Sequence, residues 1–307
     1  MRDFIENIVN EVGRVLLGKD EKIKLAVACL LSDGHLLIED LPGMGKTTLA
    51  QALSRVLGLN YQRIQFTSDM LPADIIGFSI FDTQKSQFSF HPGPIFTQVL
   101  LADEINRTTP KTQSALLEAM EERQVTSEGE TRKLDQPFFV IATQNPQSQM
   151  GTYPLPESQL DRFLMRISLG YPNEIAEKQL FLGGDPRQHI NDLKICLTPA
   201  QLLATRAAIN KIKTSDSLIE YLQRLVHATR TDADFTYGLS PRGAMALLRA
   251  AKTWAFMHGR AYVIPEDIQT LLPVVITHRI APLSSSRDQT EHALIIKLLN
   301  SVDIISN

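Results

Sequence analysis

Asp40-Leu41-Pro42-Gly43-Met44-Gly45-Lys46-Thr47-Thr48 follows directly on the apolar run His35–Glu39 and opens a helical stretch. A polyphosphate is held by backbone N–H groups turned into a concave loop, and glycine lets a chain curl that tightly. The N-terminus of the helix behind such a loop adds the positive end of its dipole. In this arrangement Lys46 reaches the β- and γ-phosphates and the Thr47 hydroxyl ligates Mg2+. Pro42, Gly43, Met44, Gly45 and Thr48 complete the cradle. The general pattern, G-x-x-x-x-G-K-[ST], wants glycine where this chain has Asp40. That position only enters the loop, whereas Gly43, Gly45 and Lys46 line its phosphate side. A Gly-Lys-Thr turn also arises by chance; the strand–loop–helix setting speaks against that reading.

Outward from this loop, short apolar runs alternate with helical stretches, the signature of an α/β fold with a parallel sheet covered by helices. The expected strands are His35–Glu39, Tyr61–Phe66, Val99–Asp103, Phe138–Thr143 and Arg166–Leu169, and the helices between them Glu21–Ser32, Thr47–Leu57 and Pro110–Arg123. Near Tyr171-Pro172-Asn173 the pattern changes. Beyond it the sequence predicts helices alone, near Glu174–Leu182, Pro199–Ile209, Asp216–Ala228, Pro241–His258, Pro265–Val275 and Glu291–Ile304. Ser240-Pro241 and Ile264-Pro265 read as helix starts. Two domains are expected, 1–171 and 172–307. Within the first, Phe78/Ile80 with Phe88/Phe90 around Asp82–Ser86, and Gln124–Thr126 with Thr131–Lys133 around Ser127–Glu130, read as hairpins.

Further chemistry sits at strand ends. Gln98–Glu104 is an apolar run leading to two carboxylates, and open α/β sheets bind ligands at the C-terminal ends of their strands. Asp103 suits a Mg2+ role and Glu104 suits polarising an attacking water. An Asp-Glu pair alone is more often a solvated loop, and the phosphate loop upstream reverses that judgement. Asn145 closes the run Phe138–Thr143 at the tip of a strand lying between the other two. An amide there can hold a water near a γ-phosphate, and a turn asparagine before proline is the plain alternative. Arg162 and Arg242 carry guanidinium groups that match phosphate oxygens, although spacing alone singles out neither.

The 307 residues carry a formal net charge of −3, with 43% hydrophobic and 21% charged residues. That is an ordinary globular composition without a basic field to attract nucleic acid or anionic lipid. Cys29 and Cys196 form no ligand pattern and read as buried, reduced thiols. No signal-peptide core or ~20-residue apolar run occurs, so the cytoplasm is the expected location.

Several long runs resemble the MoxR family of AAA+ ATPases, in the family's order over roughly residues 10–260. They are Glu39–Thr47, Met70–Gly77, Gly93–Phe96, Asp103–Arg107, Leu116–Arg123, Ala142–Pro146 and Leu155–Phe163. The resemblance implies a P-loop NTPase core with a five-stranded parallel sheet and a C-terminal all-helical lid, assembling into rings, usually hexamers, with ATP between subunits. It makes Lys46 and Thr47 the phosphate-loop pair, Asp103 and Glu104 the Walker B pair and Asn145 the sensor-1 residue. Arg162 becomes the arginine finger acting on a neighbour, ahead of Arg166 and Arg107, and Arg242 the lid's sensor-2 arginine. Gly18 falls where such proteins cradle adenine, beside apolar Val15 and Leu16. The hairpins match family inserts and become candidate pore or substrate contacts. The implied activity is Mg2+-dependent ATP hydrolysis driving chaperone-like remodelling of a protein client, often with a separate von Willebrand factor A domain partner. A nucleic-acid motor or loader and a non-hydrolysing assembly switch are the alternatives; the acidic balance opposes the first and Glu104 the second.

Overall fold

The computed structural model describes residues 3–84, 86–145, 151–282 and 287–304; Lys85, in the polar stretch Asp82–Ser86, and Pro146, in a quoted family run, lie outside them. Two helices, α1 (Asp3–Gly13) and α2 (Asp20–Leu31), lead into β1 (Leu36–Glu39), α3 (Lys46–Val56) and β2 (Tyr61–Gln65). Short α4 (Pro72–Ile76) precedes the hairpin of β3 (Gly77–Asp82) and β4 (Gln87–Pro92), then β5 (Val99–Asp103) and α5 (Pro110–Glu122). A second hairpin, β6 (Gln124–Ser127) with β7 (Glu130–Lys133), is followed by β8 (Phe139–Gln144), one-turn α6 (Glu157–Leu160) and β9 (Met165–Ile167).

The parallel sheet has five strands in the order β2-β5-β8-β1-β9. Every residue of β5 is buried, as in a strand covered on both faces. Successive side chains alternate between those faces. Leu36, Ile38, Val99, Leu101, Phe139 and Ile141 join Leu49 and Leu53 of α3 in one cluster. Leu37, Leu100, Ala102, Val140 and Ala142 join Leu116 and Leu117 of α5 in another.

The remaining helices are α7 (Glu174–Gly183), α8 (Pro199–Ile209), α9 (Asp216–Thr231), α10 (Pro241–Met257), α11 (Pro265–Ile276) and α12 (Arg287–Ser301). Asn173, Thr198, Ser215 and Ser240 each cap a helix by accepting a backbone N–H, which offsets unsatisfied donors of the first turn. The α3-side cluster continues into these helices through Tyr221, Leu225, Leu247 and Leu271. Ser32 Oγ donates to Thr253 Oγ1 at 2.7 Å, tying α2 to α10.

Three expectations need correction. The helical part carries one antiparallel ladder, β10 (Phe235–Tyr237) with β11 (Ala281–Pro282), too short to leave a period in the sequence. The N-terminal helix α1, for which no element was expected, buries Ile5, Ile8, Val9 and Val12 at helical spacing. Both cysteines are free, yet Cys196 is only partly buried.

The hairpins hold each other. Glu128 accepts from the Ser79 N–H at 3.3 Å and from its hydroxyl, and the Arg132 guanidinium lies 3.7 Å over the Phe90 ring. Gly77 (φ +92°) lets the first hairpin close, since a Cβ there would come within 2.4 Å of the His91 carbonyl oxygen. Phe78, Ile80, Phe81 and Phe88 stay exposed on it.

His35, entering β1, is fully enclosed. Its Nδ1 accepts the Val140 N–H at 3.0 Å, so Nε2 carries the proton toward the Met120 carbonyl at 3.2 Å. Burial, with Arg123 nearby, pushes its pKa down to about 3. The unfolded chain, with His near 6.5, therefore takes up this proton first, and stability is lost as pH falls from about 6.5 toward 3. Between pH 7 and 5 the loss is about 2 kcal/mol. His278, pushed the same way by burial and Arg279, adds to it. Urea unfolding of wild type and His35→Gln at both pH values checks this: the variant's stability should fall less, and equal slopes would contradict the assignment.

Candidate functional site

The C-terminal edge of the sheet collects the chemistry. β1 delivers the loop 40–45, β5 delivers Asp103 and Glu104, and β8, between them, delivers Asn145. Register places Gln144 opposite Glu39, Gln65 opposite Asp103 and Ala142 opposite Ala102, so the four strands end within one residue of one another.

Gly43 and Gly45 take φ of +84° and +92°. Gly45 is the N-cap of α3 and offers no side-chain acceptor, which leaves the helix's first N–H groups for a ligand. A Cβ on Gly45 would come within 2.6 Å of Leu16 Cδ1, so the loop also needs glycine for this close approach. Pro42 and Gly43 are exposed, Met44 packs on the core, Thr47 is partly buried and Thr48 is buried.

Lys46 is 8% exposed. Its Nζ donates to the Asp40 carbonyl at 2.7 Å and to Asn145 Oδ1 at 3.1 Å. Among the described residues no carboxylate pairs with it. Burial lowers its pKa, against the more distant pull of Asp103, Asp40 and Glu104. A buried ammonium held by neutral oxygens is a site for an anion, and the glycine cradle beside it suits a polyphosphate.

The Asn145 amide turns its other end to Glu104, with Nδ2 donating to Oε1 at 3.2 Å. Lys46, Asn145 and Glu104 thus form one chain of hydrogen bonds. Glu104 sits in the left-handed region, φ 57° and ψ 49°, a strained place for a residue with a side chain. Its N–H donates to Thr143 Oγ1 at 2.9 Å, and that hydroxyl donates to Asp103 Oδ1 at 2.6 Å. Arg63 donates to Asp103 Oδ2 at 2.7 and 3.2 Å. Gln65 and Arg107 hold Glu104 Oε2 at 2.8 and 3.0 Å. Sequence reading missed Arg63, Gln65 and Thr143. Their only signal is that they end the strands flanking Asp103, which becomes legible once the strand order is known.

Asp40, the departure from the glycine pattern, is buried and occupied. Its Oδ2 accepts from Leu169 N and Gly170 N, both at 2.7 Å, and from Ser168 Oγ at 3.1 Å. Its Oδ1 accepts from Leu41 N at 2.9 Å. The carboxylate ties the start of the phosphate loop to the exit of β9. Lys19 adds a second tie by donating to Gly170 O at 2.9 Å and to Tyr171 O. Gly18, at φ +68°, lies against Asn173 and Ala176 at the start of α7; with buried Val15 and Leu16 it borders the loop.

Arg162 and Arg242 lie elsewhere. Both pair with Glu121, at 3.1 and 2.6 Å. They line a cleft of about 410 Å³ with Gly34, His35 and Leu164, the residues that enter β1 and β9. That cleft is at the opposite edge of the sheet from Lys46. Arg279 holds its floor through Asp161 at 2.7 Å. Of the rival finger residues, Arg166 pairs with Glu39 at 3.0 Å and Arg107 with the chain's own Glu104.

The sequence pattern of the ATPase family associated with various cellular activities (AAA) matches residues 35–165, and that of the AAA lid domain matches 227–297. The chain is 39% identical to Chaperone MoxR1 of Mycobacterium tuberculosis (strain ATCC 25618 / H37Rv), over 90% of this chain and 75% of that protein. This chain belongs to the MoxR family of AAA+ ATPases. It is 42% identical to YeaC, an uncharacterised protein of Bacillus subtilis (strain 168), over 99% of this chain and 96% of that one. The crystal structure of a candidate ATPase from Cytophaga hutchinsonii ATCC 33406 superposes with a TM-score of 0.87 at 38% identity, covering 99% of this chain and 96% of that one. The five-stranded sheet and helical lid are the fold expected of this MoxR-type chain.

Asp40 offers a direct test, because the general pattern has glycine there. Asp40→Gly would leave the Leu169 and Gly170 amides unpaired and free the loop entry. We expect a loss of about 2–4 kcal/mol in unfolding free energy. Nucleotide affinity, read by calorimetry, should fall at least about 10-fold. An Asp40→Gly variant as stable and as tight as wild type would contradict the tie.

Proposed function

We propose that this chain hydrolyses Mg-ATP to ADP and phosphate and uses the resulting motion to remodel or assemble a protein client. The observation that carries the reading is the Lys46–Asn145–Glu104 chain of hydrogen bonds at the phosphate loop. It joins a buried cation awaiting an anion to a carboxylate aimed by a strained backbone, with the amide between them.

In this reading Lys46 leaves the Asp40 carbonyl for the β- and γ-phosphates. Thr47 and Asp103 are the residues that would hold Mg2+, which neutralises phosphate charge when bound. Thr143 fixes Asp103 Oδ1 in place, and Arg63 holds Oδ2. Glu104, released from Gln65 and Arg107, draws charge from the attacking water, and Asn145 orients that water. Phosphoryl transfer to water needs positioning and charge stabilisation above all, and these residues supply both. Gly18 with Val15 and Leu16 forms the adenine side, and Pro42 to Thr48 the cradle.

Arg162 and Arg242 cannot reach this chain's own Lys46 across the sheet. We assign both to the site of a neighbouring subunit in a ring, a hexamer by the family's habit, with residues 1–171 as core and 172–307 as lid. The exposed aromatic residues of the linked hairpins then face the client, alone or with a von Willebrand factor A domain protein. No helix among the described residues is long and apolar enough to cross a membrane. The proposed setting is the cytoplasm.

Lys46 and Glu104 should fail differently. Lys46→Ala removes the charge that holds the phosphates, so nucleotide binding should weaken at least about 10-fold. Glu104→Gln should bind ATP nearly as wild type does and lose about 10²–10⁴ in turnover. Calorimetry and phosphate release separate the two outcomes. Wild-type turnover in Glu104→Gln would remove Glu104 from the role assigned to it.

A further inference from the structure

Two exposed apolar surfaces lie outside the site, on faces that a ring would bring together. The first is the outer side of α7. Its inner residue Ala176 is buried against Gly18, while Ile175, Phe181 and Leu182 are 73%, 80% and 79% exposed, and Tyr171 just before the helix is 71% exposed. Ile175 and Leu182 are seven residues apart, two turns along one stripe, with Phe181 beside them. Large side chains this exposed and this close together mark an interaction surface. Glu174 and Glu177 give the ridge an acidic first turn.

The second surface is a groove of about 510 Å³ between α9 and α10, within the size range that buries several apolar groups. Ile219, Val226, Met245 and Leu248 form its apolar lining, and His227 and Arg230 are its basic residues. Met245 also lines the cleft that holds Arg162 and Arg242, so groove and cleft are one continuous surface. The ridge, in turn, adjoins the Gly18 segment that borders the phosphate loop.

We propose that the α9–α10 groove of one copy of this chain receives the α7 ridge of the next copy in the ring. The proposal rests on the assignment of Arg162 and Arg242 to a neighbour's nucleotide. If one subunit's arginine edge meets the next subunit's phosphate-loop edge, the surfaces flanking those edges also meet. The flank of the arginine edge is a groove with basic residues, and the flank of the phosphate-loop edge is an apolar ridge with an acidic turn. Shape class, hydrophobicity and charge are therefore complementary between unlike surfaces, the requirement for a head-to-tail contact that closes a ring. The contact would also couple nucleotide state to assembly, because α7 caps through Asn173 beside Gly18 and follows the segment tied to Asp40.

The test uses the full chain carrying Glu104→Gln, with Mg-ATP, followed by sedimentation velocity across protein concentration. Leu182→Glu on the ridge and Ile219→Glu in the groove, away from the arginine cleft, should each raise the assembly midpoint at least about 10-fold, the scale of one buried large apolar side chain. Leu182 is exposed and Ile219 partly exposed in the single chain, so unchanged melting temperature and ATP affinity show that the fold and site survive. Mixing the two variants is the sharper arm. One intact ridge then meets one intact groove, so the mixture should form dimers that neither variant forms alone and should not close rings. Normal rings from both single variants would overturn the proposal while leaving the ring reading in place. So would a loss of client remodelling without any loss of assembly, which would give the surface to the client. Failure of the parent itself to assemble with Mg-ATP would overturn both readings together.

Discussion

A lysine ammonium taken out of water has to be matched by an anion or by enough oxygens to replace its hydration. Lys46 is buried with a backbone carbonyl and one amide oxygen, and with no carboxylate in ion-pair contact among the described residues. The surroundings of the loop follow from keeping that cation available. The loop curls through two left-handed glycines so that the first turn of α3 points the same way. Asp40 spends its carboxylate on the backbone after β9 and offers Lys46 only its carbonyl. Asp103 and Glu104 are held off by Arg63, Gln65, Arg107, Asn145 and Thr143.

Much of this was legible before the fold was known. The phosphate loop, all five strands of the sheet, both inserted hairpins and most later helices stand within a few residues of where period and punctuation place them. The strand between the Lys46 and Asp103 strands does carry Asn145. What stayed hidden depended on contacts between distant segments. Gln65 and Arg63 matter only because β2 lies beside β5. Asp40 looked like a tolerable fault in a motif and is instead the loop's anchor to β9. The β10–β11 ladder is too short for any period to register. The helix α1 has a readable period in Ile5, Ile8, Val9 and Val12, although polar residues interrupt the run.

The sheet's two edges divide the labour. The C-terminal edge binds and positions; the opposite edge presents Arg162 and Arg242, both restrained by the carboxylate of Glu121. Asp161 stands 3.9 Å from Arg242 and is already engaged by Arg279. Two guanidinium groups thus share one close carboxylate, and the proposed reading gives both a neighbour's polyphosphate as a further partner. On the proposed reading, the separation of the two edges is what makes a ring part of the chemistry. In that reading a lone subunit lacks only the residues that offset charge building on the γ-phosphate oxygens. The α7 ridge and α9–α10 groove extend the same logic to the surfaces around that contact.

The direct measurement of this division is phosphate release from a mixture of Arg162→Ala and Glu104→Gln subunits, with co-assembly shown by tagged pull-down. Arginine fingers contribute roughly 10³–10⁵ in rate, so each variant alone should be nearly inactive. In the mixture some interfaces join an intact Glu104 in one subunit to an intact Arg162 from the next. Activity should rise clearly above that of either variant. Full activity in Arg162→Ala alone, or mixed rings with no recovery, would contradict the claim that the site is completed across a subunit boundary.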